Sequence, residues 1–558
     1  MVAKAQRGTR PNRHDIKSHL VKAMMRPDFY PDRPPRVDTR QTHMSHVFLA
    51  GEFVYKIKKP VRFDFADFSA LGVRFEFCRE EVRLNRRLAP DVYLGVVPIF
   101  RNGRRFRLGT LCDTFDPHAH EYAVKMRRLP EDRLFDRLVR TGAADTDQVD
   151  RIAHRIAAFH RDASTAASWR YGSAAAVRRL VVGNLEECER FLGYTLTARQ
   201  FRAIGDYLKG FAAAHHDLLN ERVRQGRVRD GHGDLRCEHV CMTETIQIFD
   251  CVEFSEPLRC VDVASDLGFL AMDLDSLGAS DLAGELVRAY CDETADAGFP
   301  TLVNFYQCHR ACVRAKVNSL KSLEGEVPPA QREQARASAL AHFSLAFDYA
   351  ARGRPALVVI CGLAGTGKST VARMLQYRTG FETLNSDRVR KRIAGVPEGS
   401  RPGTDYGAGI YSSAFDRLTY HTLITEAAGY LHDGCGVILD ATFKRPEDRS
   451  AALATGLRIG VPVLFVECQA NEQEVLRRLR KRSADGHGPS DADAAVYLSQ
   501  RNEFVPIGEI SANRHLVADI TPGAERVMPR IEKSLRQLFD ESGESVRERP
   551  PLNSGGFH

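Results

Sequence analysis

The run Gly362-Leu363-Ala364-Gly365-Thr366-Gly367-Lys368-Ser369-Thr370 stands directly after the apolar segment Ala356-Leu357-Val358-Val359-Ile360-Cys361. An apolar segment of that length reads as a buried strand. Glycines so spaced read as a turn whose backbone must approach something closely before a helix begins. In such a turn the backbone N–H groups and the helix N-terminus converge, which makes a cradle for phosphate oxygens. Lys368 would reach the β- and γ-phosphates and Ser369 would bind magnesium, with Gly362, Gly365, Thr366, Gly367 and Thr370 completing a nucleotide-binding loop. An ordinary strand–turn–helix is the bland alternative.

At 558 residues the chain exceeds one typical core, and a prior of roughly 100–200 residues per domain points to several compact units. Hydrophobic content of 43% and charged content of 27% are globular values. Apolar runs fall short of a membrane span and the start, Met1 to Arg10, lacks the apolar core of a secretory signal. A soluble cytoplasmic protein without a membrane partner is therefore expected. The 13 cysteines are scattered without a C-x-x-C pair, which argues against a zinc ribbon or a disulfide scaffold; Cys237, His239, Cys241 and Cys251 fit no common zinc spacing. A net charge of +8 suits a phosphate-bearing substrate but is modest at this size, so nucleic acid is a weaker reading than a small molecule.

Residues 1–35 are basic and Pro/Arg-rich and are expected to form a mobile arm. From Thr42, short strands over 43–49, 53–58, 97–100, 105–108 and 121–126 surround one amphipathic helix over 75–88, a small and mostly antiparallel lobe. The chain then reads as helical to Ala351, interrupted by Asp230-Gly231-His232-Gly233-Asp234 and a hairpin ending at Asp250. Arg352-Gly353-Arg354-Pro355 is the expected junction. Beyond it strands alternate with helices, the pattern of a parallel sheet covered on both faces. The fold class is α+β followed by α/β, with domains over 36–351 (small lobe 36–130, helical lobe 131–351) and 352–540, and a disordered tail over 541–558.

In the second domain Leu384-Asn385-Ser386-Asp387 places Asp387 at a strand end, facing the crevice where α/β sheets bind ligands. Asp387 is a candidate base, and Arg390, one turn on, could hold an anionic group of the acceptor. The competing assignment is a helix N-cap by Ser386 or Asp387. Asp440 ends the apolar strand Val437-Ile438-Leu439-Asp440, where it could hold magnesium's water shell. Arg478 and Arg482 lie on a cationic helix followed by Asp485-Gly486-His487-Gly488, a candidate lid whose arginines would neutralise a transferring phosphoryl group. Together these features, over Ala356 to Leu538, resemble the P-loop kinase group that includes polynucleotide 5′-hydroxyl kinases, zeta-type toxins and small-metabolite kinases. The resemblance implies phosphoryl transfer to a hydroxyl, with Asp387 and Arg390 as base and acceptor contact.

In the first domain His232-Gly233-Asp234, then His239 and a hairpin closing on Ile248-Phe249-Asp250, resembles the catalytic core of aminoglycoside phosphotransferases and, more distantly, of protein kinases. The resemblance implies a bilobal kinase-like fold. Asp234 would be its base, Asp250 and His239 would hold magnesium, and Lys56, paired with Glu81, would hold the α- and β-phosphates. His239 departs from the family, which usually has Asn there, and no G-x-G-x-x-G precedes Lys56. Lys58 and Glu80 compete with Lys56 and Glu81 for their roles, while Asp262 and Asp266 read as acceptors that stabilise loops. The whole chain resembles a bacterial family that fuses an aminoglycoside phosphotransferase-like domain to a P-loop kinase domain. That implies ATP and magnesium at each of two sites, and as acceptors a small-molecule hydroxyl or a nucleic-acid end. The alternative is a P-loop kinase regulated by a catalytically weak, ligand-binding first domain. Nothing in the sequence sets an oligomeric state.

Overall fold

The computed structural model describes residues 13–42, 44–63, 66–103, 105–325, 327–397, 409–485 and 494–546. The apolar-rich segments Ser45–Ala50 and Phe53–Lys58 pair antiparallel, with Ser45 opposite Lys58 and Ala50 opposite Phe53. They belong to a six-stranded sheet in the order Val37–Gln41, Ser45–Ala50, Phe53–Lys58, Glu121–Arg127, Tyr93–Asn102, Arg105–Leu108. Every pairing in it is antiparallel. The helix Leu71–Asn85 clusters Phe75, Cys78 and Val82 with Tyr93, Tyr122 and Val124 of the sheet.

A second cluster joins Leu20 and Met24 of the helix Arg13–Met24, and Tyr30 beyond it, to Phe48, Tyr55, Ile57 and Ile99. The Tyr30 hydroxyl also donates to the Met24 carbonyl at 2.6 Å. Residues 13–35, expected as a mobile arm, are therefore part of the fold. The apolar positions that anchor them are too few to stand out from the surrounding arginines and lysines. The rest of the expected arm, residues 1–12, lies outside the described residues.

Two compact units divide the chain: Met1–Tyr171 with Gly226–Asp266, and Gly172–Gln225 with Leu267–His558. This division does not coincide with the expected junction at 352–355. The helices Ala174–Glu189, Ala198–Ala214, Phe299–Leu323 and Pro329–Arg352 group with the phosphate-loop domain. Within this second unit Thr301 donates to Glu382 at 3.1 Å. Gly380, at φ +73°, lies so close to the Thr301 carbonyl that a Cβ would stand 2.6 Å from its oxygen.

The second unit's sheet has five parallel strands in the order Glu382–Asn385, Val437–Asp440, Leu357–Cys361, Val463–Gln469, His515–Asp519. Both faces are buried: Val358, Ile360, Ile438 and Leu464 meet Val371, Leu375 and Ile531, while Leu357, Val359, Leu439 and Phe465 meet Leu423, Ala427 and Ala452. Register sets Asp440 beside both Ile360 and Asn385, so the strand ends carrying chemistry lie side by side. The fold is thus α+β in the first unit, around an antiparallel sheet, and α/β in the second, around a parallel sheet whose strand Leu357–Cys361 leads into the glycine loop.

The helix Met528–Val546 runs past the expected start of the tail at 541, and residues 547–558 lie outside the described residues. None of the cysteines is joined in a disulfide. Among the described residues no helix is long and apolar enough to cross a membrane.

Candidate active sites

In the second unit the strand Leu357–Cys361 feeds the helix Lys368–Thr379 through the glycine loop. Lys368 is partly buried and donates to the Leu363 carbonyl at 2.7 Å; desolvation holds its ammonium below the usual lysine range, against the pull of Asp440. The Ser369 hydroxyl donates to Asp440 Oδ2 at 2.7 Å, and Asn385 Nδ2 donates to the same oxygen at 2.8 Å. The Ser369 hydroxyl and the Asp440 carboxylate thus meet at one point, two hard oxygen donors that suit magnesium, with the Asn385 amide N–H steadying the carboxylate.

Asn385 also accepts from the backbone N–H groups of Asp387 and Arg388 at 3.0 and 3.1 Å. The N-cap is therefore Asn385, not Ser386 or Asp387, and the Asp387 side chain is left for other work. Arg390 donates to Asp387 at 2.7 Å and to Asp416 at 2.7 Å, and Lys444 lies 3.7 Å from Asp416. Asp416, Asn385 and Lys444 escaped the sequence reading. Asn385 was legible as a capping residue at a strand end, whereas Asp416 and Lys444 come from distant segments with no motif.

Arg478 donates to Glu474 at 2.7 Å, to the Ile520 carbonyl at 2.8 Å and to the Thr366 carbonyl at 3.4 Å. It braces the phosphate loop here. The Arg482 side chain and the expected lid residues 486–493 lie outside what is described.

In the first unit Lys56 and Lys58 project from the same face of their strand. Both reach Glu81, which is fully buried: Lys56 Nζ to Oε1 at 2.8 Å and Lys58 Nζ to Oε2 at 2.7 Å. Lys56 also donates to Asp250 at 2.7 Å, and Lys58 to Glu253. The expected competition between the two lysines thus resolves into sharing, while Glu80 turns outward to Arg83. Burial opposes the charge on Lys56, but Asp250, Glu81 and Glu253 outweigh it and hold the ammonium well above its ordinary range. Burial likewise opposes ionisation of Asp250, but Lys56 and His239 prevail and its carboxyl sits well below the usual carboxylate range. Glu253 was not singled out in the sequence, and nothing local marks it.

Asp250 adopts φ +64°, and its N–H donates to the buried Tyr93 hydroxyl at 3.2 Å. The loop before it is held by Asp266, which accepts from the N–H groups of His232 and Gly233 at 2.6 and 2.9 Å, as expected for a loop-stabilising acceptor. Asp262 accepts from Ala264 N–H at 2.8 Å. Asp234 is gripped by Arg236, Nε to Oδ1 at 3.1 Å and Nη2 to Oδ2 at 3.0 Å. His239 lies between the two acids, with Nε2 3.7 Å from Asp250 Oδ2 and Nδ1 3.8 Å from Asp234 Oδ2. The fold thus brings Lys56, Glu81, Asp234, His239 and Asp250 into one site. Among the described residues no group of three or more His, Cys, Asp and Glu could hold a metal ion. A cation at either site would therefore draw further ligands from nucleotide phosphates and water.

Residues 357–507 match a family model described as an AAA domain. The chain is 31% identical over 471 residues to the uncharacterized protein Rv2004c of Mycobacterium tuberculosis, covering 84% of this chain and 90% of that one, and equally to the uncharacterized protein Mb2027c of Mycobacterium bovis. Among solved structures it is similar to a choline/ethanolamine kinase family protein from Mesorhizobium loti, at 14% identity over 60% of this chain and 99% of that one, TM-score 0.34. It is also similar to a gluconokinase from Sinorhizobium meliloti 1021, at 18% identity over 35% of this chain and 98% of that one, TM-score 0.25.

Proposed function

The chain belongs to the family of the mycobacterial proteins Rv2004c and Mb2027c, and from that premise we propose that it is an ATP-dependent phosphotransferase with two nucleotide sites, each passing the γ-phosphate to a hydroxyl. The observation that carries this reading is that each unit independently sets a partly buried lysine near an acid brought from elsewhere in the chain. Lys56 meets Asp250, and Lys368 occupies the glycine loop whose next residue, Ser369, bonds Asp440.

In the second unit the loop N–H groups and Lys368 would bind the phosphates, and Ser369 and Asp440 would hold magnesium. Asp387 would take the acceptor's proton while Arg390 binds an anionic part of the acceptor. In the first unit Lys56, fixed by Glu81, would orient the α- and β-phosphates and Asp234 would accept the hydroxyl proton. Asp250 and His239 would hold the cation, which when bound neutralises phosphate charge. The acceptors are small hydroxyl compounds; a nucleic-acid end is the lesser candidate for the second site. A supply of ATP places the protein in the cytoplasm.

A second reading has a specific observation behind it. Arg236 occupies both oxygens of Asp234, so the first unit could bind nucleotide without performing transfer and regulate the other site. The test is transfer of labelled γ-phosphate from ATP into an extract of metabolites and oligonucleotides, comparing wild type with Lys368→Ala and Asp234→Ala. Loss of distinct products in the two variants supports two kinases. Loss in Lys368→Ala alone makes the first unit a regulatory binding domain, and full turnover in both variants refutes the site assignments.

A further inference from the structure

The imidazole of His239 is not free to choose its tautomer. Its Nδ1 lies 2.8 Å from the backbone carbonyl of Asp234, which can only accept, so Nδ1 carries the proton and donates it. In the neutral ring Nε2 is then an unprotonated lone pair. It points to the space shared with Asp250 Oδ2, 3.7 Å away, and is met there by Arg236 Nη2 at 3.3 Å. An N–H given to a backbone carbonyl, with the second nitrogen left as an acceptor near a carboxylate, is the arrangement that orients histidine as a metal ligand. The ring is held in place: His239 is 6% exposed and also packs against Phe249, with ring centroids 5.9 Å apart. Two donors 3.7 Å apart lie within the span of one cation making bonds of about 2.0–2.2 Å to each.

Magnesium takes hard oxygen ligands and sheds its water reluctantly, whereas imidazole binds first-row transition ions far better. We infer that the first unit's site is built for a first-row transition-metal dication, with His239 Nε2 and Asp250 as its protein ligands, while the second unit's all-oxygen site keeps magnesium. The inference rests on the nucleotide-site reading of the first unit. Metal binding requires Arg236 Nη2 to leave both Nε2 and Asp234 Oδ2, while the bonds of Nε to Asp234 Oδ1 and of Nη1 to Glu238 keep the guanidinium anchored.

The test uses the full chain labelled with ¹⁵N-histidine, manganese(II) as the probe ion and a non-hydrolysable ATP analogue, read by electron paramagnetic resonance. The expected result is a ¹⁵N coupling to manganese that disappears in His239→Asn. That substitution should also lower manganese affinity about tenfold relative to magnesium. The wild-type coupling is decisive even if His239→Asn folds poorly. Nucleotide-dependent manganese that is lost in Asp250→Asn but shows no histidine coupling overturns the inference and leaves the nucleotide site standing. Manganese uptake unaffected by both Asp250→Asn and Lys56→Ala removes the nucleotide site itself, and the inference with it.

Discussion

At Gly362 the backbone takes φ +125°, and an added Cβ would stand 2.3 Å from the Cys468 carbonyl oxygen of the neighbouring strand. Gly362→Ala is therefore expected to displace the loop and weaken ATP binding at least tenfold in titration calorimetry, with a stability cost of about 1–3 kcal/mol. Asn385 does two jobs, capping the helix of Asp387 and Arg390 and steadying Asp440. Asn385→Ala should cost about 1 kcal/mol in urea denaturation and lower kcat of the second-site reaction more than it raises KM. Unchanged kcat would limit Asn385 to a structural role. These two residues divide what the sequence displays from what it conceals. A glycine loop after an apolar strand announces itself because its constraint is local. Asn385 lay in plain view but was outweighed by its neighbours Ser386 and Asp387. Glu253, Asp416 and Lys444 gain their roles only from contacts across long stretches of chain, which no local pattern records.

Among the elements, the helix Phe299–Leu323 runs through the second unit's core and carries a histidine with nowhere to put a charge. Burial, with Arg310 and Lys316 adding to it, pushes His309 down to about 3 from an ordinary 6.5, and its Nε2 has no hydrogen-bond partner. A base whose folded pKa lies below its unfolded one gives full stability above pH 6.5. As pH falls from there, the unfolded chain takes up the proton first, and stability declines by about 1.4 kcal/mol per pH unit until the folded protein also protonates. Between pH 7 and 5 wild type should lose about 2 kcal/mol more than His309→Leu, measured as the shift in urea midpoint. Parallel losses would show that the ring is hydrated in the fold. Element boundaries were read well where periodicity was strong: Phe53–Lys58 and Leu357–Cys361 needed little or no revision, and the helix expected over 75–88 spans Leu71–Asn85. The helix Arg13–Met24 was missed because Leu20 and Met24 supply its buried contacts amid a run of charge.

For the whole molecule, the succession of an antiparallel-sheet part and a parallel-sheet part was legible, but their partition was not. Turn residues such as Arg352-Gly353-Arg354-Pro355 mark where the chain bends, not which helices share a core. A fragment of residues 353–546 would lose the Thr301 bond to Glu382 and the contact of Cys435 Sγ with His215 Nε2 at 3.5 Å. It is expected to be less soluble and more rapidly cleaved in limited proteolysis than the same region in the intact chain; equal resistance would establish the junction at 352–355 as a true domain boundary. The chain leaves the first unit after Tyr171, returns at Gly226 and departs again after Asp266. No single cut therefore separates the two units, and a gene rearrangement that moves one unit whole as a contiguous block takes a piece of the other with it. On the ribosome the first unit is complete once Asp266 has emerged, while the helices made just before its return wait, apolar faces uncovered, for partners still to be translated. Interlacing of this kind binds two folding units into one unit of inheritance.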